Sequence, residues 1–384
     1  MMKFEFRTVP CIVVEAGAAD RLGPLLREHY LQTRLCLVTD RFLHQSGMLD
    51  GALASLKNAG WQVQVIDHVI ADPPEHIVLE AAEQARRSGA EVIVGLGGGS
   101  SMDVAKLLAI LLGGDQPLTD MYGIGNVRGQ RLPLVQIPTT AGTGSEVTPV
   151  SIVTTGETTK SGVVSPMLYA DMAILDARLT LGLPAKATAA TGIDAMVHAI
   201  EAYTSKHLKN PVSDMLAVRA LALLSANLLP ACENGNDLAA REAMLLGAML
   251  AGQAFANAPV AAVHALAYPI GGIFHVPHGL SNSLVLPHVL RFNAPDAAAR
   301  YAELAELIVP GCSGSDEART HAFIARLEDL TRSTGIERTL REVGVRQADL
   351  RHMAREAMKQ TRLLGNNPRE VREEDAYAIY AAAL

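Results

Sequence analysis

The sequence predicts an α/β domain over residues 1–181, followed by an all-helical domain over residues 182–384. Three observations lead to this prediction. The length of 384 residues exceeds what a single hydrophobic core usually serves. Short apolar runs alternate with helical patterns in the first half, whereas the second half is rich in alanine and leucine and poor in strand-like runs. The pattern changes at Gly182-Leu183-Pro184, which sets the predicted boundary.

The first half is typical of a parallel sheet flanked by helices. Residues 74–88 place Ile77, Leu79, Ala82 and Ala85 at helical spacing. Short β-rich runs separate segments of this kind, as strands joined by crossover helices require. The predicted strands are residues 35–39, 63–66, 91–96, 132–137 and 173–175.

The second half shows helix-start signals instead of strands. Ser213 and Ser281 are the predicted starts, because a serine hydroxyl can accept a hydrogen bond from a free amide at a helix end. The alanine richness of residues 187–270 would also suit a helical solenoid, but no motif recurs there at a fixed period. We therefore expect an ordinary helical domain.

Charge and cysteine usage exclude several functional classes. The net charge is −7 and charged residues make up 19% of the chain, so no basic field favours nucleic acid or an anionic membrane surface as a partner. The four cysteines form no CxxC pair, which argues against a disulfide framework and a thiolate zinc site. Without a signal-peptide pattern or an uncharged apolar run of about 18 residues, we expect a cytoplasmic protein.

A glycine turn follows one predicted strand. Gly97-Gly98-Gly99-Ser100 stands between the strand at 91–96 and a helical pattern over 102–112. Glycines let the backbone approach a ligand, and the free amides of a helix start suit a pyrophosphate, with Ser100 as a cap or a phosphate donor. The spacing is not GxGxxG, however, so a tight turn without a ligand remains the alternative.

Asp40 ends the predicted strand at 35–39, on the side of an open sheet where ligands bind. A carboxylate there can accept hydrogen bonds from both ribose hydroxyls and would repel a 2′-phosphate, which favours NAD over NADP. The alternative is that Asp40 only caps the next helix.

A second polar turn, residues 138–146, follows the predicted strand at 132–137. Its hydroxyls and glycines could surround phosphates or a nicotinamide carboxamide, although a polar surface loop is the plainer interpretation. Two such turns after two parallel strands fit a single ligand crevice. The first half is therefore interpreted as a dinucleotide-binding domain.

Asp194 and His198 lie four residues apart on a strongly helical segment, which puts both on one face. His264, His275 and His278 follow within fifteen residues of one another. With two of these histidines, the pair gives one carboxylate and three imidazoles, a set typical of a divalent metal site with an open position. An ordinary hydrogen bond between Asp194 and His198 is the alternative for that pair alone.

Taken in order, these motifs resemble those of the iron-containing (group III) alcohol dehydrogenases. The resemblance covers nearly the whole chain, as far as Gly365-Asn366-Asn367-Pro368-Arg369. Each motif alone is unspecific, and the combination is specific. The matching residues are Gly97 to Ser100 with Asp103 and Lys106, residues 138–146, Asp194 with His198, His264, and Pro277-His278-Gly279.

The resemblance implies a dehydroquinate synthase-like fold in which cofactor and metal face each other across a cleft, in a homodimer or a larger homo-oligomer. It also implies iron(II), with zinc as the alternative, held by Asp194, His198, His264 and His278. The implied cofactor is NAD. The implied nucleotide contacts are Asp40, Gly98, Gly99, Ser100, Asp103, Thr139, Thr140, Thr143 and Lys160.

One position departs from the family pattern. Many members carry a histidine four residues after the first downstream ligand, where this chain has Tyr268. His275 lies three residues before His278. Position alone makes Tyr268 and His275 the candidate catalytic residues for proton release from the reacting alcohol.

The predicted function is metal-dependent hydride transfer between NAD and a small primary or secondary alcohol, with aldehyde or ketone reduction as the reverse. The low aromatic content, 4%, argues against a cage for a large aromatic substrate. Alternatives in the same fold are a metal-free maleylacetate reductase, a glycerol dehydrogenase and a dehydroquinate synthase-like lyase. A nucleotide sensor without turnover is the alternative from another class, and an intact metal site argues against it.

Overall fold

The computed structural model describes residues 3–156 and 159–384, and the chain divides into two compact units. The α/β unit comprises Thr8–Thr140 and Gly144–Leu181. The helical unit comprises Gly182–Leu384 together with residues 3–7 and the short segment Ala141–Thr143. The chain enters the helical unit for the last time at Gly182, where the sequence pattern also changes.

Nine strands occur in the described residues, and the five predicted from the sequence are among them. Their ends differ from the predicted ends by up to three residues, as is usual for strand boundaries. The strands are β1 Cys11–Val14, β2 Arg34–Asp40, β3 Gln62–Val69, β4 Val92–Gly97, β5 Gly123–Ile124, β6 Leu134–Pro138, β7 Val150–Thr155, β8 Thr159–Val164 and β9 Met172–Leu175.

Six of these strands form one parallel sheet in the order β1-β9-β6-β4-β2-β3. This confirms the predicted parallel sheet. Its helices are α1 Leu22–Arg27, α2 Arg41–Gln45, α3 Asp50–Asn58, α4 Glu75–Arg87 and α5 Gly99–Gly113. Helix α4 confirms the helix predicted over residues 74–88. The sheet packs apolar side chains such as Leu37, Val94 and Ile174 into the core on the side of α1 and α3.

The sequence did not predict the second sheet, which has the order β5-β8-β7. Strands β7 and β8 pair antiparallel, and β5 pairs parallel with β8. Threonine and serine interrupt the apolar residues in both longer strands, and β8 also contains Lys160, so neither strand shows a clear two-residue period.

The helical unit contains helices and no strand over residues 182–384, all of which the structure describes, and this confirms the prediction for the second half. Its α-helices are α6 Ala185–Thr204, α7 Pro211–Glu233, α8 Leu238–Asn257, α9 Ala262–Phe274, α10 His278–Ile308, α11 Asp316–Thr334, α12 Leu350–Met358, α13 Thr361–Leu364 and α14 Glu373–Ala383.

Both predicted helix starts in this unit are wrong by two to three residues. Helix α7 begins at Pro211 and is capped by Asn210, whose Oδ1 accepts a hydrogen bond from the Ser213 amide at 2.9 Å. Helix α10 begins at His278 after Pro277, so Ser281 lies inside the helix. In both cases a proline at or before the first turn begins the helix earlier than the serine.

Helix α7 is long and apolar enough to cross a membrane by length and composition, and the bent pair of α8 and α9 passes the same test. Core helices of packed proteins meet this criterion too. Helix α7 packs against α6 and α8, and it buries Ala217, Leu221 and Leu224. These contacts are those of a core helix in the helical unit.

Candidate functional site

Three helices bring the four predicted metal ligands together. Asp194 and His198 lie one turn apart on α6, His264 lies in the first turn of α9, and His278 is the first residue of α10. One ligand atom from each of these side chains lies within 4.8 Å of all the others. Residues 84 positions apart in the chain therefore form one cluster, as the sequence predicted.

The carboxylate of Asp194 lies at the centre of the cluster. Its Oδ1 atom is 3.8 Å from His198 Nε2, 3.7 Å from His264 Nε2 and 3.5 Å from His278 Nε2. Asp194, His198 and His264 are buried, whereas the His278 side chain is 33% exposed. The cluster is therefore open to small molecules beside His278.

The donor set fits a divalent cation. Among the described residues, imidazoles are the only basic groups within ion-pair distance of Asp194, and no lysine or arginine joins them. A buried carboxylate without a cationic partner is costly, and one carboxylate with three imidazoles matches the ligands of zinc and iron(II). A cation between these atoms would remove that cost.

The environment of His198 keeps its imidazole neutral. Burial lowers its pKa well below the ordinary value, and the nearby His264 lowers it further. The ring stacks on Phe255 at a centroid distance of 4.3 Å and on His264 at 4.7 Å. Neutral imidazole is the form that binds a metal, and the two stacked rings hold it in one orientation.

Asn282 is a neighbour of the cluster that sequence reasoning missed. It lies one turn after His278 on α10 and is fully buried. Its Nδ2 donates a hydrogen bond to Asp194 Oδ1 at 2.6 Å and lies 3.2 Å from His264 Nε2. The four-residue spacing from His278 was the available signal, since it places Asn282 on the same helix face.

Glu201 is the second residue that sequence reasoning missed. It is buried on α6, and its carboxylate accepts a hydrogen bond from His264 Nδ1 at 2.7 Å. The signal was again spacing, because Glu201 follows His198 by three residues and Asp194 by seven.

The two candidates for proton release, Tyr268 and His275, have different surroundings in the structure. The ring of Tyr268 lies 6.0 Å from the ring of His278, centroid to centroid, beside the exposed edge of the cluster. His275 is exposed and follows the last residue of α9 with a left-handed φ of 55°. Tyr268 is therefore the candidate that adjoins a ligand.

In the α/β unit, three of the predicted nucleotide elements follow neighbouring strands. Asp40 ends β2, the glycine turn follows β4, and Thr139 follows β6. These strands are adjacent in the order β6-β4-β2, and the Thr139 amide donates a hydrogen bond to the Gly97 carbonyl at 3.0 Å. The connections reverse direction between β2 and β4, which is where open α/β sheets bind ligands.

Helix capping at these elements differs in part from the sequence expectation. Asp40 caps α2 through a hydrogen bond from the Leu43 amide to Oδ1 at 2.9 Å, which leaves Oδ2 for another donor. The N-cap of α5 is Gly98, so the suggested cap role of Ser100 is wrong. Gly99 and Ser100 belong to the first turn of α5, where backbone amides have no partner within the helix. If Gly98 carried a Cβ atom, that atom would lie about 4 Å from the Thr140 hydroxyl.

Asp103 and Lys106 join α5 to the segment that ends the second polar turn. Asp103 accepts hydrogen bonds from the Ser145 hydroxyl at 2.6 Å and the Ile152 amide at 2.9 Å. The buried Lys106 Nζ contacts the Ser145 hydroxyl at 2.8 Å and the Val150 carbonyl at 2.7 Å. The Asp103 carboxylate is thus engaged with the protein, although the sequence predicted it as a nucleotide contact.

Burial shifts the pKa values of two groups in this network. Desolvation lowers the pKa of Lys106 to about 8, against the attraction of Asp103 and Glu146. Desolvation also raises the pKa of the buried Glu146 to about 7. Both side chains are buried, with Lys106 fully inaccessible and Glu146 2% exposed.

The remaining predicted nucleotide residues lie elsewhere. Lys160 is on β8, and its ammonium group forms an ion pair with Asp72 Oδ1 at 2.6 Å. Asp72 has a left-handed φ of 50°. Thr143 belongs to the short segment of the helical unit, whereas the other predicted nucleotide residues belong to the α/β unit.

A parallel sheet with polar turns at its switch point is typical of nucleotide-binding domains, and the helical unit contains an aspartate and three histidines. Fold and site therefore define a two-domain protein with a candidate nucleotide-binding unit and a candidate metal centre. The family profile "Iron-containing alcohol dehydrogenase" matches residues 10–177. The profile "Fe-containing alcohol dehydrogenase family, C-terminal" matches residues 188–384.

Similar proteins cover the whole chain. Long-chain-alcohol dehydrogenase 1 of Geobacillus thermodenitrificans is 39% identical over 96% of this chain and 93% of its own length. The NAD-dependent methanol dehydrogenase of Bacillus methanolicus is 34% identical over 98% of each chain. A crystal structure of 1,3-propanediol oxidoreductase superimposes with a TM-score of 0.96 at 35% identity and covers 100% of both chains.

The chain belongs to the iron-containing alcohol dehydrogenase family. It is an oxidoreductase that interconverts alcohols and aldehydes.

Proposed function

We propose that the chain transfers a hydride between NAD and a small primary or secondary alcohol at a divalent metal ion held by Asp194, His198, His264 and His278. The ion is iron(II), with zinc(II) as the alternative. The observation that supports this most is the buried cluster of four ligand atoms within 4.8 Å of one another. When bound, the ion supplies Lewis acidity that polarises the oxygen of the substrate.

The protein side chains have distinct tasks in this proposal. Asp194 supplies the negative charge that attracts a cation into a buried position. Burial and ring stacking keep His198 neutral and oriented. His278 is the ligand next to solvent, so the alcohol enters beside it. Tyr268 lies next to His278 and is therefore close to the entering alcohol.

NAD is the proposed hydride acceptor. The similar enzyme from Bacillus methanolicus is NAD-dependent by name. Asp40 ends β2 beside the glycine turn, where its free oxygen can accept a hydrogen bond from a ribose hydroxyl and its charge opposes a 2′-phosphate. The proposed nucleotide contacts are Asp40, Gly98, Gly99, Ser100, Thr139, Thr140, Thr143 and Lys160. Asp103, which the sequence also predicted as a contact, is proposed to act indirectly by holding the loop through Ser145.

Proton release is proposed to occur through Tyr268 or His275. The position of Tyr268 beside His278 favours the phenol. We also propose that the enzyme is a cytoplasmic homodimer or a larger homo-oligomer. Light scattering coupled to gel filtration would measure the number of chains per particle.

Metal analysis combined with a turnover assay tests the proposal. Purified protein is analysed by elemental mass spectrometry, and NADH formation is followed with ethanol and 1,3-propanediol for wild type and His264→Ala. We expect one iron or zinc ion per chain, and loss of both metal and activity in the variant. His321→Ala is the matched control, because His321 is exposed on α11 and should leave both unchanged.

Two results would contradict the proposal in different ways. Undiminished activity without metal would point to a metal-free reductase of the same fold. Bound metal and bound NAD without turnover on any alcohol in a broad panel would point to a nucleotide sensor.

A further inference from the structure

Helix α6 carries a third buried polar side chain on the face of Asp194 and His198. Glu201 follows them at helical spacing, and only 4% of its surface is exposed. A buried carboxylate is stable only when donors satisfy it. The Glu201 carboxylate accepts three hydrogen bonds, all from residues at the start of α9.

Two of these donors are free backbone amides. Glu201 accepts from the Ala261 amide at 2.9 Å and from the Val263 amide at 2.7 Å. Ala261 is the N-cap residue of α9, and its methyl side chain cannot accept a hydrogen bond. Glu201 therefore replaces the missing cap, and the positive end of α9 stabilises its negative charge.

The third donor is the ligand His264. Its Nδ1 lies 2.7 Å from Glu201 Oε2, and the carboxylate can only accept, so Nδ1 carries the proton. The lone pair of the neutral ring is then on Nε2. That atom faces the cluster, 3.7 Å from Asp194 Oδ1. One hydrogen bond thus fixes both the tautomer and the orientation of the imidazole.

We propose that Glu201 is a positioning residue of the metal centre and that, through His264, it sets how tightly the centre holds a divalent ion. This inference rests on the proposed metal role of the cluster. Carboxylates that orient ligating imidazoles generally raise metal affinity by about 10- to 100-fold. Glu201 combines this role with the capping of the helix that carries the ligand.

A purely structural role makes a different prediction. If Glu201 only caps α9, its replacement lowers the thermal midpoint and leaves the metal affinity of the folded protein unchanged. If it orients His264, the metal affinity falls even in protein that remains folded. The two roles therefore separate when affinity is measured directly.

The experiment uses the full chain, stripped of metal and titrated with Zn²⁺ in competition with a chromophoric chelator. Glu201→Gln keeps the length of the side chain and removes its charge, whereas Glu201→Asp keeps the charge and shortens the reach. We expect both to bind Zn²⁺ about 10- to 100-fold more weakly than wild type. The Co²⁺ absorption spectrum should change in both, because the geometry of the ligands changes.

Asp237→Ala is the matched control. Asp237 caps α8 by accepting a hydrogen bond from the Ala240 amide at 3.0 Å. Its loss removes a helix cap from the same unit without touching the cluster. We expect a lower thermal midpoint with unchanged Zn²⁺ affinity and an unchanged Co²⁺ spectrum.

A double-variant cycle tests the route through His264. His264→Ala should lose its metal on purification but still bind Zn²⁺ weakly at high Zn²⁺ concentration through the remaining ligands. In this background Glu201→Gln should weaken that residual binding no further, because the ring that it orients is gone. Wild-type Zn²⁺ affinity in Glu201→Gln, or an equal loss in both backgrounds, would overturn the inference. If wild type bound neither Zn²⁺ nor Co²⁺, the proposed metal function itself would fail, which is a distinct outcome.

Discussion

Gly279 lies so close to the carbonyl oxygen of Ala190 that a Cβ atom on Gly279 would be 2.2 Å from that oxygen. Gly279 directly follows His278 at the start of α10, and Ala190 precedes Asp194 on α6 by four residues. The missing side chain therefore allows α10 to begin against α6. This contact brings the ligands His278 and Asp194 together.

Gly279→Ala should separate the two helices and damage the metal centre. We expect it to lower the free energy of unfolding by about 1–3 kcal/mol, as overpacking does, and to reduce the metal content. Thermal unfolding and elemental analysis measure the two effects. Gly114→Ala is the control, because the nearest atom to its added Cβ is 3.9 Å away. Full metal content in Gly279→Ala would show that α10 can shift without moving His278.

Lys106→Met should loosen the segment that follows the second polar turn. The substitution removes the buried ammonium group that contacts the Ser145 hydroxyl and the Val150 carbonyl. We expect a loss of about 3 kcal/mol in unfolding free energy, as when one partner of a buried charged network is removed. NAD binding, measured by fluorescence titration, should weaken about tenfold. Lys57→Met, exposed on α3, is the control, and equal NAD affinity in both variants would argue against a role in the cofactor loop.

Glu146 should make stability fall as the pH rises. Burial raises its folded-state pKa from 4.5 to about 7, so the folded chain binds more protons than the unfolded chain between these values. Its contribution is therefore lost as the pH rises through that window. The unfolding free energy of the wild type should therefore fall by an amount on the order of 1–3 kcal/mol between pH 5 and 7.5, and Glu146→Gln should not show this fall. Thermal midpoints at both pH values check this prediction, and Glu28→Gln, at an exposed position, is the control. If the stability of Glu146→Gln still fell between these pH values, the pH dependence would belong to another group.

Asp40→Asn separates the charge of Asp40 from its capping role. Asparagine keeps an oxygen for the Leu43 amide, so the stability of α2 should not change. Removal of the negative charge should raise kcat/KM for NADP relative to NAD about tenfold. Steady-state kinetics with both cofactors measure this ratio. Asp50→Asn, at the exposed start of α3, is the control. If the ratio of kcat/KM for NADP to that for NAD did not change in Asp40→Asn, the 2′-position of the adenosine ribose would lie away from the end of β2.

Tyr268→Phe tests the proton path. Loss of a general acid–base group typically lowers the rate by about 10² or more, so kcat should fall and its pH profile should change. His275→Ala should have a smaller effect, because His275 is exposed beyond the end of α9. Tyr377→Phe, which removes a hydroxyl on α14, controls for loss of a phenol elsewhere. Unchanged turnover and pH profiles in both test variants would eliminate both candidates.

The sequence predicted those parts of the fold in which local pattern and tertiary packing agree. The strand at 91–96 and the helix at 74–88 were recognisable because buried strands are continuously apolar and surface helices are amphipathic. Strand β1, Cys11–Val14, was missed because four residues give too short a pattern. Strands β7 and β8 were missed because their polar residues hide the strand period.

The candidate site was predictable as far as residue chemistry and helical spacing reach. Asp194 and His198 share a helix face, and the resemblance to a known family supplied His264 and His278. Asn282 and Glu201 were missed because each acts on a residue from another helix. Their contacts depend on how α6, α9 and α10 pack, and no local pattern reports that packing.

Helix α6 supplies Asp194, His198 and Glu201 from a single face. Because each residue of an α-helix turns the chain by about 100°, the relative directions of these side chains are fixed by the number of residues between them. Deletion or insertion of one codon between positions 194 and 201 would rotate Glu201 away from His264, although the composition of the helix would hardly change. Surface loops such as residues 310–315 would tolerate the same change in length. Gene variants of this enzyme should therefore accept changes of length in loops and reject them within this stretch of α6.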